Sequence, residues 1–357
     1  MVVLLLYGGV SSEHEISCLS AEFIESSLKI AGHQVLPVYI DRKGSWHLQQ
    51  QVNRLAADFK SNPSFLNAER QLVAKDSTQN VDFVFPMIHG TNGEDGTIQG
   101  FCEINGLPYA GCGVFASAAC MNKKFMRQLF SASGIGQVKY RVIEKHQYDA
   151  NADQLLNELS DELSFPLFSK PCSLGSSVGV YKAKDAAGLK DAIEKSFKYD
   201  LQVMVEEGRN IRELELSILG NYPHYQTSVL GEIIPHHEFY SYEAKYLDAE
   251  GASLKMPAEI SAEIAAAASH LAKNAFAAVQ GEGFSRIDFF LDKDNGELLL
   301  NEINTAPGCT SISMFPKLWQ ISGKEAPDLV NEIVELGLQR FKQSAQLDRQ
   351  SGFAAPD

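Results

Sequence analysis

The sequence predicts a mixed fold in which an α/β unit precedes α+β units. Residues 2–41 carry an apolar strand, an amphipathic helix and a second strand, which is the order of a βαβ unit. Residues 165–184 indicate a strand, a glycine-rich loop and another strand. Residues 285–304 indicate two strands joined by a tight turn. We therefore expect a parallel sheet in the first third of the chain and a separate small unit in its middle.

The first third is predicted from its apolar periodicity. Residues 2–9 and 33–41 are apolar runs of strand length, and the residues between them carry apolar side chains at helical spacing. Residues 81–90 form a further buried strand that leads into a glycine-rich stretch. The polar stretch 42–80 is expected to hold an insertion and a helix.

The rest of the chain alternates helices and strands. The predicted elements are a helix at 116–133, strands at 201–208 and 212–220, a long helix at 257–281 and a last helix at 328–341. Pro257 near the start and Gly281 near the end of the long helix are typical boundary residues. The polar end from about Gln343 is expected to fray.

The composition excludes several classes of function. The 357 residues are 45% apolar and 21% charged, which is typical of a globular protein with a large core. A net charge of -14, without a basic cluster, argues against nucleic-acid or membrane partners. The six cysteines lack CxxC and metal-finger spacing, so we expect reduced thiols and a cytoplasmic location. The apolar opening stretch is too short to span a bilayer.

The strand pair at 285–304 carries a cluster of candidate metal ligands. Glu302 and Asn304 stand two residues apart and therefore share one face of their strand. A register that pairs Asp288 with Glu302 brings the two carboxylates to one side, and it also pairs Arg286 with Asn304. Carboxylate and amide oxygens suit Mg²⁺, while the arginine fork suits phosphoryl oxygens. The alternative is a solvent-facing hairpin with cross-strand ion pairs.

The glycine-rich loop at 169–180 is a candidate phosphate-binding element. Lys170 precedes a run of small residues that includes Ser176 and Ser177. Small residues expose backbone N–H groups to phosphate oxygens, and the lysine adds a positive charge. The order of a Walker A loop is absent. An ordinary Gly/Ser turn is the alternative.

Further candidates lie at turns and strand ends. Glu206 and Glu213 flank a Gly/Asn turn, where they could bind the amine and ribose of a nucleotide or simply be exposed glutamates. Glu13 stands at the start of a helix, where it could bind an ammonium group. His89 follows a strand, at the edge where ligands of parallel sheets collect. Gly308 lets a backbone amide approach a ligand closely.

Taken together, these stretches resemble the D-alanine–D-alanine ligases of the ATP-grasp superfamily from residue 2 to about residue 340. The resemblance rests on the order of the motifs "GGVSSEHEIS", "HGTNGEDGTIQG", "MNKKF", "KPCSLGSSVGV", "EFYSYEAKY", "SRIDFFL" and "NEINTAPGCTSISMFP". It implies an ATP-grasp fold after an N-terminal Rossmann-like domain. The implied divisions are an N-terminal substrate domain at 1–115, a central subdomain at 116–205, a C-terminal subdomain at 206–343 and a disordered tail at 344–357.

The resemblance also implies a role for each matching residue. The residues implied to bind ATP are Lys123, Lys170, Ser177, Glu206, Glu207, Glu213 and Lys245. Two Mg²⁺ or Mn²⁺ ions would be bound by Asp288, Glu302 and Asn304. The D-alanine substrates would contact Glu13, His89, Ser313 and Met314. The residues implied in catalysis are the hydrogen-bonded triad of Glu13, Ser176 and Tyr246, together with Arg286 and the Gly308 N–H.

The implied reaction joins two D-alanine molecules through an acyl phosphate, for peptidoglycan precursors, in a homodimeric enzyme. A tyrosine-rich loop at about 236–256 would close over the site. Three alternatives are open. A D-alanine–D-lactate ligase would use the same ATP site, although the loop tyrosine favours an amine acceptor. A catalytically inactive nucleotide-binding protein would be expected to lack metal ligands or Lys170. A dinucleotide-dependent oxidoreductase is disfavoured because the first turn lacks GxGxxG.

Overall fold

The structure, a computed structural model, describes residues 1–55, 58–235 and 252–348. Lys245 and Tyr246 lie outside the described residues, as does most of the loop predicted to close over the site. Residues 349–357 of the predicted tail also lie outside them.

The N-terminal part folds around a four-stranded sheet. Its elements are β1 (Val2–Gly8), α1 (His14–Ile30), β2 (Gln34–Ile40), β3 (Trp46–Leu48), β4 (Ser64–Leu66), β5 (Gln71–Ala74), β6 (Ser77–Asn80), β7 (Phe83–Met87) and α2 (Thr97–Ile104). The strand order is β3-β2-β1-β7, and β1 pairs in parallel with both β2 and β7. The βαβ start and the parallel sheet are therefore confirmed.

The predicted helix within 42–80 is wrong for the residues that are described there. They form β3 and a separate antiparallel sheet in the order β4-β5-β6. Leu72 is buried in a hydrophobic core with Leu6 and Leu36, and Ala74 pairs with Ser77 across a two-residue turn. Alternate burial and a tight turn are hairpin signals, and the polar composition of the stretch concealed them.

The central part is an antiparallel sheet flanked by helices. Its elements are α3 (Val114–Met121), α4 (Lys123–Ala132), β8 (Tyr140–Glu144), α5 (Lys145–Glu162), β9 (Leu167–Pro171), β10 (Tyr181–Ala183), α6 (Ala186–Ser196) and β11 (Gln202–Glu207). The strand order is β10-β9-β11-β8. The strand, glycine-rich loop and strand predicted at 165–184 are confirmed as β9, loop and β10.

The C-terminal part is a five-stranded antiparallel sheet with helices against it. Its elements are β12 (Ile211–Asn221), β13 (His224–Pro235), β14 (Ala252–Lys255), α7 (Ala262–Ala278), β15 (Gly283–Asp292), β16 (Leu298–Asn304), α8 (Met314–Ile321) and α9 (Ala326–Ala345). The strand order is β14-β13-β12-β15-β16. Helix α9 continues to Ala345, beyond the predicted start of fraying.

Two predicted helix boundaries need correction. The single helix expected at 116–133 is two helices, because Asn122 between them has an extended conformation (φ -106°, ψ 110°). The long helix begins at Ala262 instead of near Pro257, because the side chain of Ser261 caps it by accepting a hydrogen bond from the Ile264 N–H.

The hydrophobic cores show which parts of the chain are packed together. One core joins β1 and β7 of the N-terminal sheet to α8 and α9, with Phe85, Phe284 and Phe315 in successive ring contacts. The central sheet has a core of its own, centred on residues such as Leu167 and Val205. The N-terminal and C-terminal parts therefore share one hydrophobic core, and the central sheet has its own. Helices α3 and α4 pack into a further core with the C-terminal sheet.

In the part of the chain that the structure describes, no helix is both long enough and apolar enough to cross a membrane.

The first prediction concerns Asn122, whose side chain caps α4 and also joins it to neighbouring segments. It accepts from the Lys124 N–H at 3.0 Å and donates to Ser173 Oγ at 3.0 Å and to Gln202 Oε1 at 3.1 Å. Asn122→Ala should lower the free energy of unfolding by about 1–2 kcal/mol, since it removes a cap and two further bonds. Urea unfolding followed by circular dichroism measures this.

Ser261→Ala is the matched control, because Ser261 caps α7 with one long bond of 3.3 Å. We expect a loss of about 0.5–1 kcal/mol there. A larger loss for Ser261→Ala than for Asn122→Ala would contradict the linking role of Asn122.

Candidate active site

A cavity of about 420 Å³ lies where the three parts of the chain meet. Many of the predicted site residues line it, namely Glu13, His89, Lys123, Ser176, Arg286, Glu302, Asn304, Gly308, Ser313 and Met314. Other predicted residues are described but are not among its lining residues, namely Lys170, Ser177, Glu206, Glu207, Glu213 and Asp288. The cavity therefore brings together side chains that are far apart in the sequence.

The pairing of β15 with β16 confirms the predicted register. Asp288 pairs with Glu302, and Arg286 pairs with Asn304. The register shifts by one residue directly after Asp288, so the apolar ends of the two strands pair differently. The irregularity thus lies immediately beside the polar cluster, and the four side chains keep a common face.

Arg286 is the centre of a dense charge cluster. Its Nε and Nη2 donate to the two oxygens of Asp288 at 2.7 Å each, and Nε lies 3.2 Å from Oε2 of Glu215. Burial lowers the pKa of Arg286, but the charges of Asp288 and Glu215 outweigh it and raise that pKa well above its ordinary value. The guanidinium therefore stays charged and is held in a fixed orientation.

The predicted metal ligands form a chemically suitable set. Glu302 and Asn304 line the cavity, and Asp288 lies across from Glu302 on the same face. No cluster of three or more His, Cys, Asp or Glu that could hold a metal occurs among the described residues. The set nevertheless fits Mg²⁺ or Mn²⁺, because its third member is an amide and such ions take further oxygens from water and substrate phosphates.

The glycine-rich loop reaches the cavity from the central part. Lys123 Nζ donates to the Leu174 carbonyl of this loop at 2.7 Å and lies 3.7 Å from Oε2 of Glu302. Ser176 and Ser177 both have positive φ angles, 54° and 59°. This strained conformation turns the loop sharply, and the hydroxyl of Ser176 donates to Glu13 Oε1 at 2.5 Å. The loop is thus joined directly to the start of α1.

A buried ion-pair network lies on the central sheet. Glu206 is 3% exposed, and its two oxygens bind Lys170 Nζ and Arg127 Nη2, the latter at 3.0 Å. Burial raises the pKa of Glu206, but the charges of Lys170 and Arg127 outweigh it and leave the pKa below its ordinary value. Glu207, on the opposite face, accepts from the Ser164 N–H at 3.0 Å.

His89 is fixed beneath the cavity by three neighbours. Its Nδ1 lies 2.9 Å from the Ala306 carbonyl and 3.5 Å from Oε1 of Glu94, and its Nε2 lies 2.9 Å from Ser20 Oγ. Burial lowers the pKa of His89, but the hydrogen bond and charge of Glu94 and the charge of Glu13 outweigh it, so the pKa is raised. The histidine is therefore a positively charged group at the cavity wall below its raised pKa.

The opposite wall is formed by the segment after β16. The N–H of Thr310 donates to Ser313 Oγ at 3.0 Å, and the two hydroxyls are 2.7 Å apart. Met314, at the start of α8, packs against Gly231 of β13, where a Cβ atom would lie 2.7 Å from the Met314 methyl carbon. The absence of a side chain at Gly231 therefore leaves room for Met314.

The structure adds three polar residues that the sequence reasoning missed. Glu94 lies within the same glycine-rich motif as His89 and bonds the Gly90 N–H at 3.0 Å. Glu215 stands two residues after Glu213, so both face the same side of β12. Arg127 lies four residues after Lys123, on the same face of α4. Strand and helix spacing from residues already selected could have identified the last two.

Comparison with known protein families gives two matches. Residues 129–335 match the family described as D-ala D-ala ligase C-terminus, and residues 2–112 match D-ala D-ala ligase N-terminus. A D-alanine–D-alanine ligase of Heliobacterium modesticaldum is 42% identical over 351 residues, which cover 96% of this chain and 95% of that protein. One of Caldicellulosiruptor bescii is 40% identical, with 97% of each chain covered.

Solved structures agree with these matches. The D-alanine–D-alanine ligase from Coxiella burnetii has a TM-score of 0.84 and 33% identity, covering 97% of this chain and 96% of that one. A D-Ala:D-Ser ligase from Enterococcus faecalis also has a TM-score of 0.84, with 31% identity and 94% and 99% coverage. The likeness extends over nearly the whole of each chain.

The second prediction follows from the contact of His89 with Glu94. Glu94→Gln keeps an oxygen for the Gly90 N–H but removes the negative charge, so the pKa of His89 should fall. A histidine whose folded pKa is raised stabilises the fold below its unfolded pKa of about 6.5 and loses that effect as the pH rises through the folded pKa. The substitution should therefore cost about 1 kcal/mol more at about pH 5.5 than at about pH 8.5.

NMR titration of the His89 ring, together with urea unfolding at the two pH values, measures this effect. An unchanged pKa in the variant would show that Glu94 does not govern the charge of His89.

Proposed function

Because the chain belongs to the D-alanine–D-alanine ligase family, we propose that its central cavity is where the enzyme joins two molecules of D-alanine at the expense of ATP. The observation that carries this proposal is the polar face of β15 and β16, which aims Arg286, Glu302 and Asn304 into the cavity that Glu13 also lines. Cationic and oxygen-donor groups for phosphoryl transfer thus adjoin a carboxylate that suits an amino-acid ammonium.

We propose that ATP lies between the central and C-terminal sheets. Lys123 donates to the glycine-rich loop, and Lys170 lies in β9 directly before that loop. Both lysines would neutralise phosphate oxygens. The loop, with Ser177, would cover the phosphates with backbone N–H groups. The nucleoside would be bound by Glu206, Glu207 and Glu213, near the connection from β11 to β12. The role proposed for Lys245 concerns a residue outside those described.

We propose that Asp288, Glu302 and Asn304 bind two Mg²⁺ or Mn²⁺ ions. When bound, these ions would spread the negative charge of the transferring phosphoryl group. Asp288 accepts hydrogen bonds from Arg286, and Glu302 lies near Lys123. The cations of the protein thus balance the carboxylates that would bind the metals.

We propose that Glu13 binds the ammonium group of the first D-alanine and that His89 lies near its carboxylate. The family's reaction converts this carboxylate into a better electrophile, because a free carboxylate reacts poorly with amines. An oxygen of the carboxylate attacks the γ-phosphorus of ATP, the bond to ADP breaks, and an acyl phosphate forms. The hydroxyl of Ser176 donates a hydrogen bond to Glu13 and so orients its carboxylate.

The second step forms the peptide bond. The amine of the second D-alanine attacks the acyl carbon, the amine loses a proton, and phosphate leaves from the tetrahedral intermediate. We propose that Arg286 and the Gly308 N–H stabilise its oxyanion, since both line the cavity. Ser313 and Met314 would contact the second D-alanine. Tyr246 is proposed to complete the triad with Glu13 and Ser176, but it lies outside the described residues.

The D-alanine acceptor is favoured over D-lactate, because the curated relatives are named D-alanine–D-alanine ligases. The D-Ala:D-Ser ligase with the same TM-score shows that this fold also accommodates another acceptor amine. The domain divisions near residues 115 and 205, the homodimer and the cytoplasmic location stay predictions.

The third prediction concerns the enzymatic activity itself. Purified protein with ATP and Mg²⁺ should release phosphate and form D-alanyl-D-alanine when D-alanine is supplied, because the chain belongs to the D-alanine–D-alanine ligase family. Chelation of divalent cations should abolish turnover, and Mg²⁺ or Mn²⁺ should restore it. Phosphate release and mass spectrometry of the product measure this.

L-Alanine, D-serine and D-lactate serve as comparison substrates in the same assay. Equal phosphate release with L-alanine and D-alanine would contradict the proposed substrate. A dominant D-alanyl-D-serine or D-alanyl-D-lactate product would contradict the proposed acceptor.

The fourth prediction concerns the contact of Gly231 with Met314. Gly231→Ala places a Cβ 2.7 Å from the methyl carbon and 2.9 Å from the sulfur of Met314. The flexible methionine can yield, so the fold should tolerate the change. Because Met314 lines the cavity, a shift of its terminal atoms should change the proposed acceptor site. We expect the KM for the second D-alanine to rise about 10-fold, while the KM for ATP stays constant.

Gly136→Ala is the control, because its Cβ would meet Leu299 at 3.6 Å, which is an ordinary contact. The double variant Gly231→Ala with Met314→Val, which shortens the displaced side chain, should recover part of the lost affinity. Equal KM values for Gly231→Ala and the wild type would contradict the proposed contact of Met314 with the second D-alanine.

A further inference from the structure

Among the described residues, the ion-pair network around Glu206 joins one carboxylate to two cations. Glu206 binds both Lys170 and Arg127, so two positive charges face one negative charge in a buried place. The exposed fractions of the three side chains are 15% for Lys170, 2% for Arg127 and 4% for Glu206. A buried excess charge is unfavourable unless another group balances it. The network is therefore suited to receive an anion.

Arg127 and Lys170 differ in how firmly they are held. Arg127 Nη2 donates to Glu206 Oε2 at 3.0 Å and to Asn301 Oδ1 at 3.3 Å, and its guanidinium lies 5.6 Å from the Tyr140 ring centre. Its Nε and Nη1 are buried and have no hydrogen-bond partner among the described residues. Lys170 is the more exposed cation of the pair, and its ammonium is attached to a flexible chain. Lys170 is thus the cation that can leave.

We propose that Arg127 is a positioning residue of the nucleotide site, which holds Glu206 in place and charged while Lys170 moves from Glu206 to a nucleotide phosphate. This inference rests on the proposed function, since it assumes that Glu206 and Lys170 both serve ATP. Without Arg127, the departure of Lys170 would leave a buried carboxylate with little compensation. Arg127 lowers this cost because it keeps its hydrogen bond to Glu206 throughout.

The protonation of Glu206 depends on the cations around it. In the described part of the chain, the charged or titratable groups that face Glu206 are Lys170 from β9, Arg127 and Lys123 from α4, and Tyr140, its partner on β8. With Arg127 present, Glu206 stays ionised when Lys170 leaves. Without Arg127, a buried carboxylate that loses Lys170 takes up a proton. Nucleotide binding should then be coupled to proton uptake.

The fifth prediction concerns ADP binding by variants of Arg127. Calorimetric titration of ADP with Mg²⁺ into the full-length enzyme measures this binding. Arg127→Met should weaken binding about 10- to 100-fold, because a charge-assisted hydrogen bond is lost. Repeating the titration near neutral pH in buffers of different ionisation enthalpy measures proton uptake. The wild type should show none from this site, whereas Arg127→Met should take up a substantial fraction of one proton. The double variant Arg127→Met with Glu206→Gln should lose that uptake.

Two further variants keep the test decisive. Arg127→Lys retains the buried charge and should fold even if Arg127→Met does not. Its single ammonium cannot reproduce the arginine's planar set of donors, so ADP binding should weaken about 3- to 10-fold without proton uptake. Arg141→Met is the matched control, since Arg141 pairs with Glu158 and Glu162 on the surface of the same part of the chain. It should bind ADP like the wild type.

The proposal is overturned if folded Arg127→Lys and Arg127→Met both bind ADP as the wild type does, or if Arg127→Met weakens binding without proton uptake. It is also overturned if Arg127→Met does not fold and Arg127→Lys binds ADP with wild-type affinity. Failure of the wild type to bind ADP would instead contradict the proposed function.

Discussion

The pairing of β15 with β16 is the contact on which the active site depends. Side chains alternate between the two faces of a strand, so a slip of one residue would turn Glu302 and Asn304 away from the cavity. The observed register keeps them beside Arg286 and Asp288. Closely spaced carboxylates repel one another, and the guanidinium of Arg286 between Asp288 and Glu215 offsets that repulsion. The strand register and the charge balance therefore support each other.

The same principle of balanced charge extends across the cavity. Lys123 lies near Glu302, Lys170 and Arg127 neutralise Glu206, and most of these cations would lie where ATP phosphates are proposed to bind. The protein has a net charge of -14, so attraction of a polyphosphate depends on these local cations. Each of the two lysines is paired with a glutamate of the proposed site and could exchange that partner for a phosphate oxygen.

The layout of the cores explains how these groups are assembled around the cavity. The N-terminal and C-terminal parts share apolar contacts through Phe85, Phe284 and Phe315, which fix the wall that carries His89 and Arg286. The central sheet, which carries Lys170 and the glycine-rich loop, has a core of its own. The glycine-rich loop therefore extends to the fixed wall from a sheet that is packed separately from it. The hydrogen bond from Ser176 to Glu13 joins the two sides.

The sequence by itself determined most elements and the chemical character of the site. Apolar periodicity and turn residues identified the βαβ start, the glycine-rich loop and the polar strand pair, because these signals are local. The prediction of a helix within 42–80 was wrong. The polar composition of this stretch concealed a hairpin whose only fully buried side chain is Leu72. Asn122 was missed as a helix break because its capping bonds depend on a conformation that composition does not reveal.

Only the tertiary structure decided which polar groups meet. Ser176 and Glu13 are 163 residues apart in the sequence, and Arg127 and Glu206 are 79 apart, so no local pattern could pair them. Their contacts arise because separate sheets are packed around one cavity, and burial then makes each charge depend on its partner. Local spacing determined which faces of the strands and helices have the polar and charged side chains of the site. Long-range packing determined which of those faces came together.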